Sequence, residues 1–348
     1  MHSRFLVGII MLMVFSSNAC STQTVQLNKP HHTANGFTNP QETEQTGFLD
    51  LLKWRWDRLF KNIPAADTYD FPVVTAETNF LHHNSTIPSI TWIGHATLLV
   101  QMGGVNIITD PQFSRRASPL QWLGPQRVVP PGIALQDLPR IHYVVISHDH
   151  YDSLDVDSIK ALFQRPEGQQ ITFIVPLRLK AWFEDLGITR VVELDWWESY
   201  THDSLTFTAA PSQHWSKRTP FSRNKTLWAS WIIKAAHFNF YFCGDSGYYA
   251  PMFKEIGAKL GPFDAAAIPI GAYEPRWFMR SKHMNPEEAV KVHLDLNAKQ
   301  SVAIHWGTFI LTDEPLTEPP QKLRQALQQY NIPQTQFRVL RHGDTIRF

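Results

Sequence analysis

The chain has 348 residues, 43% of them hydrophobic and 18% charged, and its 32 Lys and Arg nearly balance 31 Asp and Glu, giving a net charge of +1. This length fits one large domain or two small ones, the composition excludes a mostly disordered chain, and the balanced charge disfavours nucleic acid as a partner. Only Cys20 and Cys243 occur, so a disulfide framework is excluded, whereas sixteen histidines make metal binding worth examining.

Residues 1–20 have the pattern of a signal peptide. Arg4 precedes an apolar run over residues 5–15 that is too short to span a bilayer but has the length of a signal-peptide core. The end of the segment resembles a bacterial lipoprotein signal, in which Cys20 becomes the lipidated first residue. Ser17 stands where such signals usually have leucine, so cleavage after Ala19, or a retained apolar helix, stays open. We predict a membrane-anchored lipoprotein of the bacterial cell envelope, with a periplasmic or secreted protein as the alternative.

Two segments follow the signal. Residues 21–47 are rich in Thr, Gln, Asn and Pro and almost lack aliphatic side chains, which predicts a flexible tether. Residues 48–63 predict an amphipathic helix, whose apolar face contains Leu49, Leu52, Trp56, Leu59, Phe60 and Ile63. Either that face lies on a membrane surface, or it docks on the core as most such faces do.

The rest of the chain, within a single domain over residues 48–348, alternates predicted strands and helices. The strands are predicted at 90–100, 105–109, 143–147, 172–175, 205–209, 231–233, 239–243 and 301–304. The helices are predicted at 156–163, 177–186, 286–295 and 320–330, with Asp155 and Asn285 as N-caps of the first and third. Strands precede helices in both halves, which indicates an α/β domain with two sheets.

Candidate metal ligands follow the ends of these strands. His148, His150 and Asp152 leave one strand at a period of two, so two imidazoles and a carboxylate project to the same side and suit zinc or a similar ion. His214, Asp245 and His305 each lie beyond the end of another apolar strand. Any one of them could be an ordinary core histidine or turn aspartate, but the repeated placement favours a shared site built on a rigid scaffold.

These residues resemble, in order and spacing, the ligand set of the metallo-β-lactamase superfamily. Longer stretches are similar to its N-acylphosphatidylethanolamine-hydrolysing phospholipase D branch: WIGHAT at 92–97, TDP at 109–111, SRRASP at 114–119, ELDWWE at 193–198, PSQHWSKRT at 211–219, GPFD at 261–264, IPIGAYEPRWFM at 268–279 and AIHWGTF at 303–309. The resemblance implies an αββα sandwich with two zinc ions. It also implies that a metal-bound hydroxide hydrolyses N-acylphosphatidylethanolamine to N-acylethanolamine and phosphatidic acid.

The resemblance also implies a role for each ligand. The first zinc is held by His148, His150 and His214, the second by Asp152 and His305, and Asp245 bridges the two. Asp245, Asp152 and His283 are the implied catalytic residues; His283 either protonates the leaving alkoxide, hydrogen-bonds the substrate amide or is merely a polar residue near a helix. His95 and Asp110 are expected to orient the ligands without binding metal.

One position departs from the superfamily pattern. Ser153 stands where a histidine usually binds the second zinc, directly after Asp152. A hydroxyl is a poor zinc ligand compared with imidazole. We therefore predict one tightly held ion and a second that is labile.

Five residues are predicted to contact the substrate: Tyr151, Lys217, Tyr248, Arg276 and Trp277. Lys217, Arg276, Arg280 and Lys282 are candidates for contact with the phosphate or headgroup, but Arg280 and Lys282 are interpreted in preference as solvated surface charges. The aromatic side chains, with Trp122, Trp215, Phe278 and Met279, either line an apolar groove or belong to the core.

Two other functions stay open at this stage. The same fold and metals could hydrolyse another phosphodiester or a lactone, because a fold does not fix a substrate. Alternatively, the change at Ser153 leaves a surface binding protein without activity.

The expected partners are a phospholipid substrate and a membrane surface, reached through the lipid anchor and the 48–63 helix; a homodimer stays open.

Overall fold

The computed structural model describes residues 29–41 and 46–348 and contains two large sheets flanked by helices. The predicted signal peptide and Cys20 lie outside the described residues. The strands are β1 (His32–Thr33), β2 (Gly36–Phe37), β3 (Ser89–Gly94), β4 (Thr97–Met102), β5 (Val105–Thr109), β6 (Tyr143–Val145), β7 (Thr172–Pro176), β8 (Val191–Leu194), β9 (Ser199–His202), β10 (Leu205–Ala210), β11 (Ser230–Lys234), β12 (Asn239–Phe242), β13 (Phe263–Pro269), β14 (Ala298–Ile304), β15 (Phe337–Arg338) and β16 (Thr345–Arg347). The helices are α1 (Phe48–Arg58), α2 (Thr78–His83), α3 (Val156–Phe163), α4 (Lys180–Glu184), α5 (Ala250–Leu260), α6 (Arg276–Met279), α7 (Pro286–Asp295) and α8 (Glu318–Gln329).

Strand direction brings the ends of distant strands to one edge. The first sheet has the order β16-β3-β4-β5-β6-β7-β8, and the second has the order β15-β14-β13-β12-β11-β10-β9. Strands β5 to β8 are parallel, as are β12 to β15, while β3 and β10 are each separated from the parallel set by one antiparallel strand. The carboxyl ends of β3, β5 and β6 therefore lie at one edge of the first sheet, and those of β10, β12, β13 and β14 at one edge of the second.

The core follows the two-residue period of the strands. In β6, Tyr143 and Val145 face the second sheet, whereas Val144 faces a separate cluster that includes Ile159 of α3 and Phe183 of α4. Helices α5, α7 and α8 contribute buried side chains to the cluster that contains the second sheet. Each sheet is thus covered on its outer side by helices, which confirms the αββα sandwich.

The structure confirms the boundaries of two predicted helices and contradicts one predicted strand. Helices α3 and α7 begin and end at the predicted residues, and both predicted N-caps accept main-chain hydrogen bonds. The single strand predicted at 90–100 is wrong, because the chain reverses between β3 and β4. Gly94 and His95 both have positive φ there (142° and 54°), so the turn cannot continue an extended strand.

Residues 29–41, termed the N-terminal strap, contact the core, which contradicts a flexible tether for this part of residues 21–47; residues 21–28 and 42–45 lie outside the described residues. His31 and His32 contact the Asp195 carboxylate through their Nε2 atoms at 2.7 and 2.9 Å, and Lys29 Nζ is 2.9 Å from the same group. Phe37 of β2 is buried against the core. One buried carboxylate with several partners and one buried aromatic ring fix a segment whose composition alone predicts no order.

Helix α1 docks through a face that the sequence pattern did not predict. Trp54 is its buried residue: the indole stacks on Phe278 with ring centroids 5.1 Å apart and donates a 3.0 Å hydrogen bond to Asp313 Oδ1. The predicted apolar face points outward, with Leu49 78%, Trp56 64% and Phe60 76% exposed. Core docking of that face is therefore wrong. Among the described helices, none is both long and apolar enough to cross a bilayer.

Candidate metal centre

The predicted ligands converge where the carboxyl ends of both sheets meet. The loop after β6 carries His148, His150 and Asp152, while His214, Asp245 and His305 follow β10, β12 and β14. These six residues fall into overlapping groups whose ligand atoms lie within 4.8 Å of one another, and two further histidines, His95 and His283, join those groups.

Three imidazoles and one carboxylate form the first group. His150 Nδ1 lies 2.8 Å from His148 Nε2 and 3.2 Å from His214 Nε2. Asp245 Oδ2 is 3.7 Å from the Nε2 atoms of both His148 and His214. Facing nitrogen lone pairs with a nearby carboxylate oxygen form a donor set that suits zinc or a similar divalent ion.

The second group shares Asp245 with the first. Asp245 Oδ1 is 3.1 Å from His305 Nε2, which also lies 3.4 Å from Asp152 Oδ2. The two oxygens of Asp245 thus face different groups, as a bridging carboxylate would. His95 Nε2 lies 3.2 Å from Asp152 Oδ2, so a histidine expected only to orient ligands stands beside a predicted one.

Unpaired buried atoms show that this donor set fits metal ions. Among the described residues, buried side-chain atoms that form no hydrogen bond of suitable geometry include Asp245 Oδ1, His150 Nε2 and both ring nitrogens of His305, even though Asp245 Oδ1 and His305 Nε2 are near each other. Such atoms are costly in a protein interior unless something else satisfies them. The ligands predicted for two ions surround several of these atoms, and a bound cation would supply the missing partner for the acceptors.

The charges of the site also favour cations. Burial alone would raise the pKa of Asp245, but His305 and neighbouring imidazoles outweigh it and hold the pKa well below its usual value. Burial lowers the pKa of His150 to about 3, so its ring is neutral and can donate a lone pair. Burial opposes protonation of His305, yet Asp245 and Asp152 raise its pKa to about 10. A proton on His305 occupies the place that a metal ion would take.

A hydrogen-bond chain orients His148. Its Nδ1 lies 2.8 Å from Ser147 Oγ, which donates to Asp110 Oδ2 at 2.5 Å, so the Nε2 lone pair points into the site. Asp110 thus has the orienting role predicted for it. Gly244, with φ of 59°, packs on this chain: a Cβ there would lie 2.5 Å from the Ser147 Cβ. His214 is oriented similarly, because its Nδ1 donates to the Lys282 carbonyl at 2.9 Å.

We predict that Ser147→Ala weakens metal binding without unfolding the domain. Loss of the Oγ leaves His148 Nδ1 without its partner, and removal of such an orienting partner typically lowers metal affinity about 10–100-fold. Competition with a chromophoric chelator measures this affinity. Ser204→Ala, in an exposed turn, is the matched control. An affinity equal to that of the wild type would show that the chain does not orient His148.

His283 and Arg276 form one unit at the rim. The His283 ring centroid is 5.0 Å from that of His214 and 5.5 Å from that of His305, and its Nδ1 has no partner among the described residues. The Arg276 guanidinium donates to the His283 carbonyl at 2.9 Å and to Glu288 Oε2 at 2.7 Å. Its charge is thus paired with Glu288, and Arg276 holds the backbone of His283; Arg276 also lines the cavity beside Gln213, so its predicted phosphate contact stays a prediction.

The other four predicted substrate residues differ in their contacts: two line a cavity, one is hydrogen-bonded to a main-chain carbonyl and one is exposed. Tyr248 and Trp277 line a cavity of about 640 Å³ that also contains Gln213, the neighbour of His214. Tyr248 donates through its hydroxyl to Asp295 Oδ2 at 2.8 Å. Tyr151 donates to the Arg218 carbonyl at 2.8 Å, and Lys217 is exposed. Substrate contacts by these four residues stay predictions.

Sequence reasoning interpreted Lys282 as a solvated surface charge and missed the N-terminal strap. Lys282 Nζ lies 5.0 Å from the Trp215 ring centroid, and burial with nearby Arg223 lowers its pKa to about 8. Asn39 of the strap accepts a 3.0 Å hydrogen bond from the main chain of His214. The positive charge of Lys282 and its place next to His283 were the signals that made it a candidate phosphate contact, whereas nothing in residues 29–41 indicated a contact with the site.

Comparisons with known proteins identify the family and the fold of this chain. A family model described as a β-lactamase superfamily domain matches residues 105–306. N-acyl-phosphatidylethanolamine-hydrolyzing phospholipase D 1 of Caenorhabditis elegans is 46% identical over 247 residues, which cover 68% of this chain and 69% of that protein. The mitochondrial enzyme of the same name from Saccharomyces cerevisiae is 32% identical over 240 residues, covering 67% of this chain and 50% of that protein. A solved metallo hydrolase from Ignicoccus hospitalis shares the fold, with a TM-score of 0.57 at 20% identity over 76% of this chain and 99% of that one.

The chain therefore belongs to the β-lactamase superfamily and has the metallo-β-lactamase fold. It is a metal-dependent hydrolase of that superfamily. Within it, the chain is similar to the N-acylphosphatidylethanolamine-hydrolysing phospholipases D, as the sequence motifs predicted.

Proposed function

We propose that this protein is a zinc-dependent phospholipase D that hydrolyses N-acylphosphatidylethanolamine at a membrane surface. The observation that carries the proposal is the pair of metal-ligand groups joined by Asp245. Beside these groups lie a lysine that forms no ion pair with any described carboxylate and several exposed apolar side chains. Water adds to phosphorus, the bond from phosphorus to the ethanolamine oxygen breaks, and that oxygen takes a proton. The products are phosphatidic acid and N-acylethanolamine.

The residues of the site suit this reaction. Two divalent ions, when bound, make water acidic enough to ionise near neutral pH and neutralise charge on the phosphoryl oxygens. Asp245 and Asp152 would compensate the cationic charge, and Asp245, which faces both ligand groups, would contribute to holding each ion. His283 is nine-tenths buried at the rim, and its Nδ1 has no partner among the described residues. Burial holds its pKa well below the usual value, so its neutral ring suits a hydrogen bond to the substrate amide better than proton transfer to the departing oxygen.

Lys282 is the proposed phosphate contact. Its Nζ donates to the neutral Thr46 hydroxyl, and no carboxylate among the described residues lies within salt-bridge distance of it. The ammonium group is close enough to His150 and His214 to lower the pKa of both rings. A phosphodiester bound between Lys282 and the metal ions would supply the missing counter-charge. Burial and the nearby Arg223 lower its pKa to about 8 although Asp50 opposes the shift, and a bound phosphate anion would raise it.

Exposed apolar side chains support a bilayer as the source of the substrate. They lie on α1 and on connections that leave the sheets at the edge of the metal centre, and comprise Leu49, Trp56, Phe60, Leu120, Trp122, Leu123, Phe221 and Trp277. Basic Lys53 lies 4.5 Å from the Trp277 ring centroid, beside the cavity next to His214. Aromatic and basic side chains in this combination favour the interface of a bilayer with anionic headgroups.

The proposal extends to the location of the protein. The pattern of residues 1–20 supports a lipoprotein anchored at Cys20 in a bacterial cell envelope, with a periplasmic or secreted form as the alternative. Mass spectrometry of the mature N-terminus distinguishes them: a diacylglyceryl group on Cys20 supports the anchor, and an unmodified N-terminus contradicts it.

The proposed activity predicts specific labelling by ¹⁸O water. With zinc-loaded protein starting after Cys20 and vesicles containing N-acylphosphatidylethanolamine, we expect the label in phosphatidic acid and none in N-acylethanolamine, because water attacks phosphorus. Mass spectrometry of both products measures this. Turnover of a lactone or of a soluble phosphodiester, without lipid turnover, would favour the other hydrolase functions. Lack of turnover of all of them at saturating zinc would favour a binding protein.

A further inference from the structure

The second metal position lacks the histidine that the superfamily pattern places at residue 153. Ser153 is fully buried, and its short side chain offers no imidazole. The structure brings a different one to the same place: His95, from the turn between β3 and β4, forms a group of potential ligands with Asp152 and His305. His95 is distant along the chain from Ser153, so only the fold relates them.

The spacing of this group suits coordination better than hydrogen bonding. His95 Nε2 and His305 Nε2 both approach Asp152 Oδ2, at 3.2 and 3.4 Å. A charge-assisted hydrogen bond is usually about 2.7–2.9 Å long. Ligand atoms of a tetrahedral zinc ion with bonds of about 2.0–2.1 Å are instead roughly 3.3 Å apart. Two imidazoles that converge on one carboxylate oxygen at that spacing leave room for an ion between them.

The backbone fixes His95 in a costly conformation. His95 and His305 both have left-handed φ values, 54° and 59°, which are uncommon for residues other than glycine. Their main chains are joined, because His305 N donates to the His95 carbonyl at 2.9 Å, and Thr308 Oγ1 accepts from His95 N at 2.8 Å. Such conformations persist at functional sites where the surrounding structure holds them.

We propose that His95 Nε2 is a ligand of the second metal ion and replaces the imidazole that is missing at Ser153. The second site then consists of His95, Asp152 and His305 with the shared Asp245, two nitrogens and two carboxylates, a donor set that suits zinc. The ion is therefore held tightly, contrary to the prediction from Ser153 alone. This inference rests on the proposed metal-dependent function but not on the identity of the substrate.

Metal retention tests this proposal independently of activity. Metal-free protein is loaded with zinc and passed through a desalting column, and bound zinc is counted by mass spectrometry; binding constants come from chelator competition. We expect two retained ions in the wild type and one in His95→Gln, with the second site weakened at least about 100-fold. His95→Ala combined with Ser153→His should regain the second ion. His83→Gln, an exposed histidine of α2, is the control, and thermal unfolding verifies that each variant is folded.

The glutamine substitution separates ligation from orientation. A glutamine side chain keeps an N–H that can donate to Asp152 but lacks the imidazole lone pair. If His95→Gln retains two ions with wild-type affinity, His95 only orients Asp152 and the proposal is overturned. A wild type that retains a single ion overturns it as well. Two retained ions without lipid turnover would instead refute the proposed substrate and leave the metal ligand intact.

Discussion

Asp245→Asn is expected to lower kcat/KM for N-acylphosphatidylethanolamine by at least about 10³-fold, equivalent to roughly 4 kcal/mol of transition-state stabilisation. The carboxylate faces both ligand groups, with Oδ1 3.1 Å from His305 and Oδ2 3.7 Å from His148 and His214. An amide has the same size but carries no charge, so it cannot bridge two cations as a carboxylate does. The measurement is steady-state turnover with zinc content determined on the same sample.

The control for this variant is Asp203→Asn, because Asp203 is exposed in the turn between β9 and β10. It should keep both metal content and turnover. The surrounding imidazoles keep Asp245 anionic against the effect of burial, so the amide variant loses these charge interactions together with metal, and thermal unfolding verifies that it is folded. Turnover within about tenfold of the wild type would contradict the proposed bridging role.

Replacing Leu49, Trp56 and Phe60 with serine is expected to weaken binding to anionic vesicles about 100-fold. These side chains are 64–78% exposed, and each contributes roughly 1 kcal/mol when it is partly withdrawn from water at a bilayer interface. Trp54, which anchors α1 to Phe278 and Asp313, is retained, so the helix should stay docked. Vesicle co-sedimentation measures binding, and turnover of a short-chain monomeric substrate measures the intact active site.

The matched control is Leu294→Ser, because Leu294 is 50% exposed at the end of α7 remote from the metal centre. This change should alter neither vesicle binding nor turnover. Equal vesicle binding by the triple variant and the wild type would refute the membrane-facing role of α1. Equal loss of activity on monomeric and vesicle substrates would indicate damage to the site instead.

Much of the site could be predicted from sequence because it depends on local rules. Apolar runs with a two-residue period identify buried strands, and parallel strands bring their carboxyl ends to one edge. His148 and His150 leave such a strand on the same side, and Asp245 and His305 follow others. The caps Asp155 and Asn285 also depend only on neighbouring residues, so the bounds of α3 and α7 were predictable.

The surroundings of these residues could not be predicted in this way. Arg276 and Lys282 are both basic residues near His283, yet Glu288 pairs with the first and no described carboxylate pairs with the second. The apolar residues of α1 fit one helical face, but which face meets the core was decided by Trp54 and its contacts with Phe278 and Asp313. Composition likewise could not show that a single buried carboxylate, Asp195, would hold the N-terminal strap.

By itself, the sequence determined the class of fold and the main set of candidate metal ligands, because strand periodicity and residue chemistry are local properties. Only the tertiary structure decided which charges are neutralised, which apolar face remains exposed and which imidazole stands beside Asp152. These features depend on residues distant along the chain, such as His95 and Ser153, being brought together by packing. The free energies of these charged and apolar side chains depend on how deeply each is buried and on which group it contacts, and no single stretch of sequence specifies either.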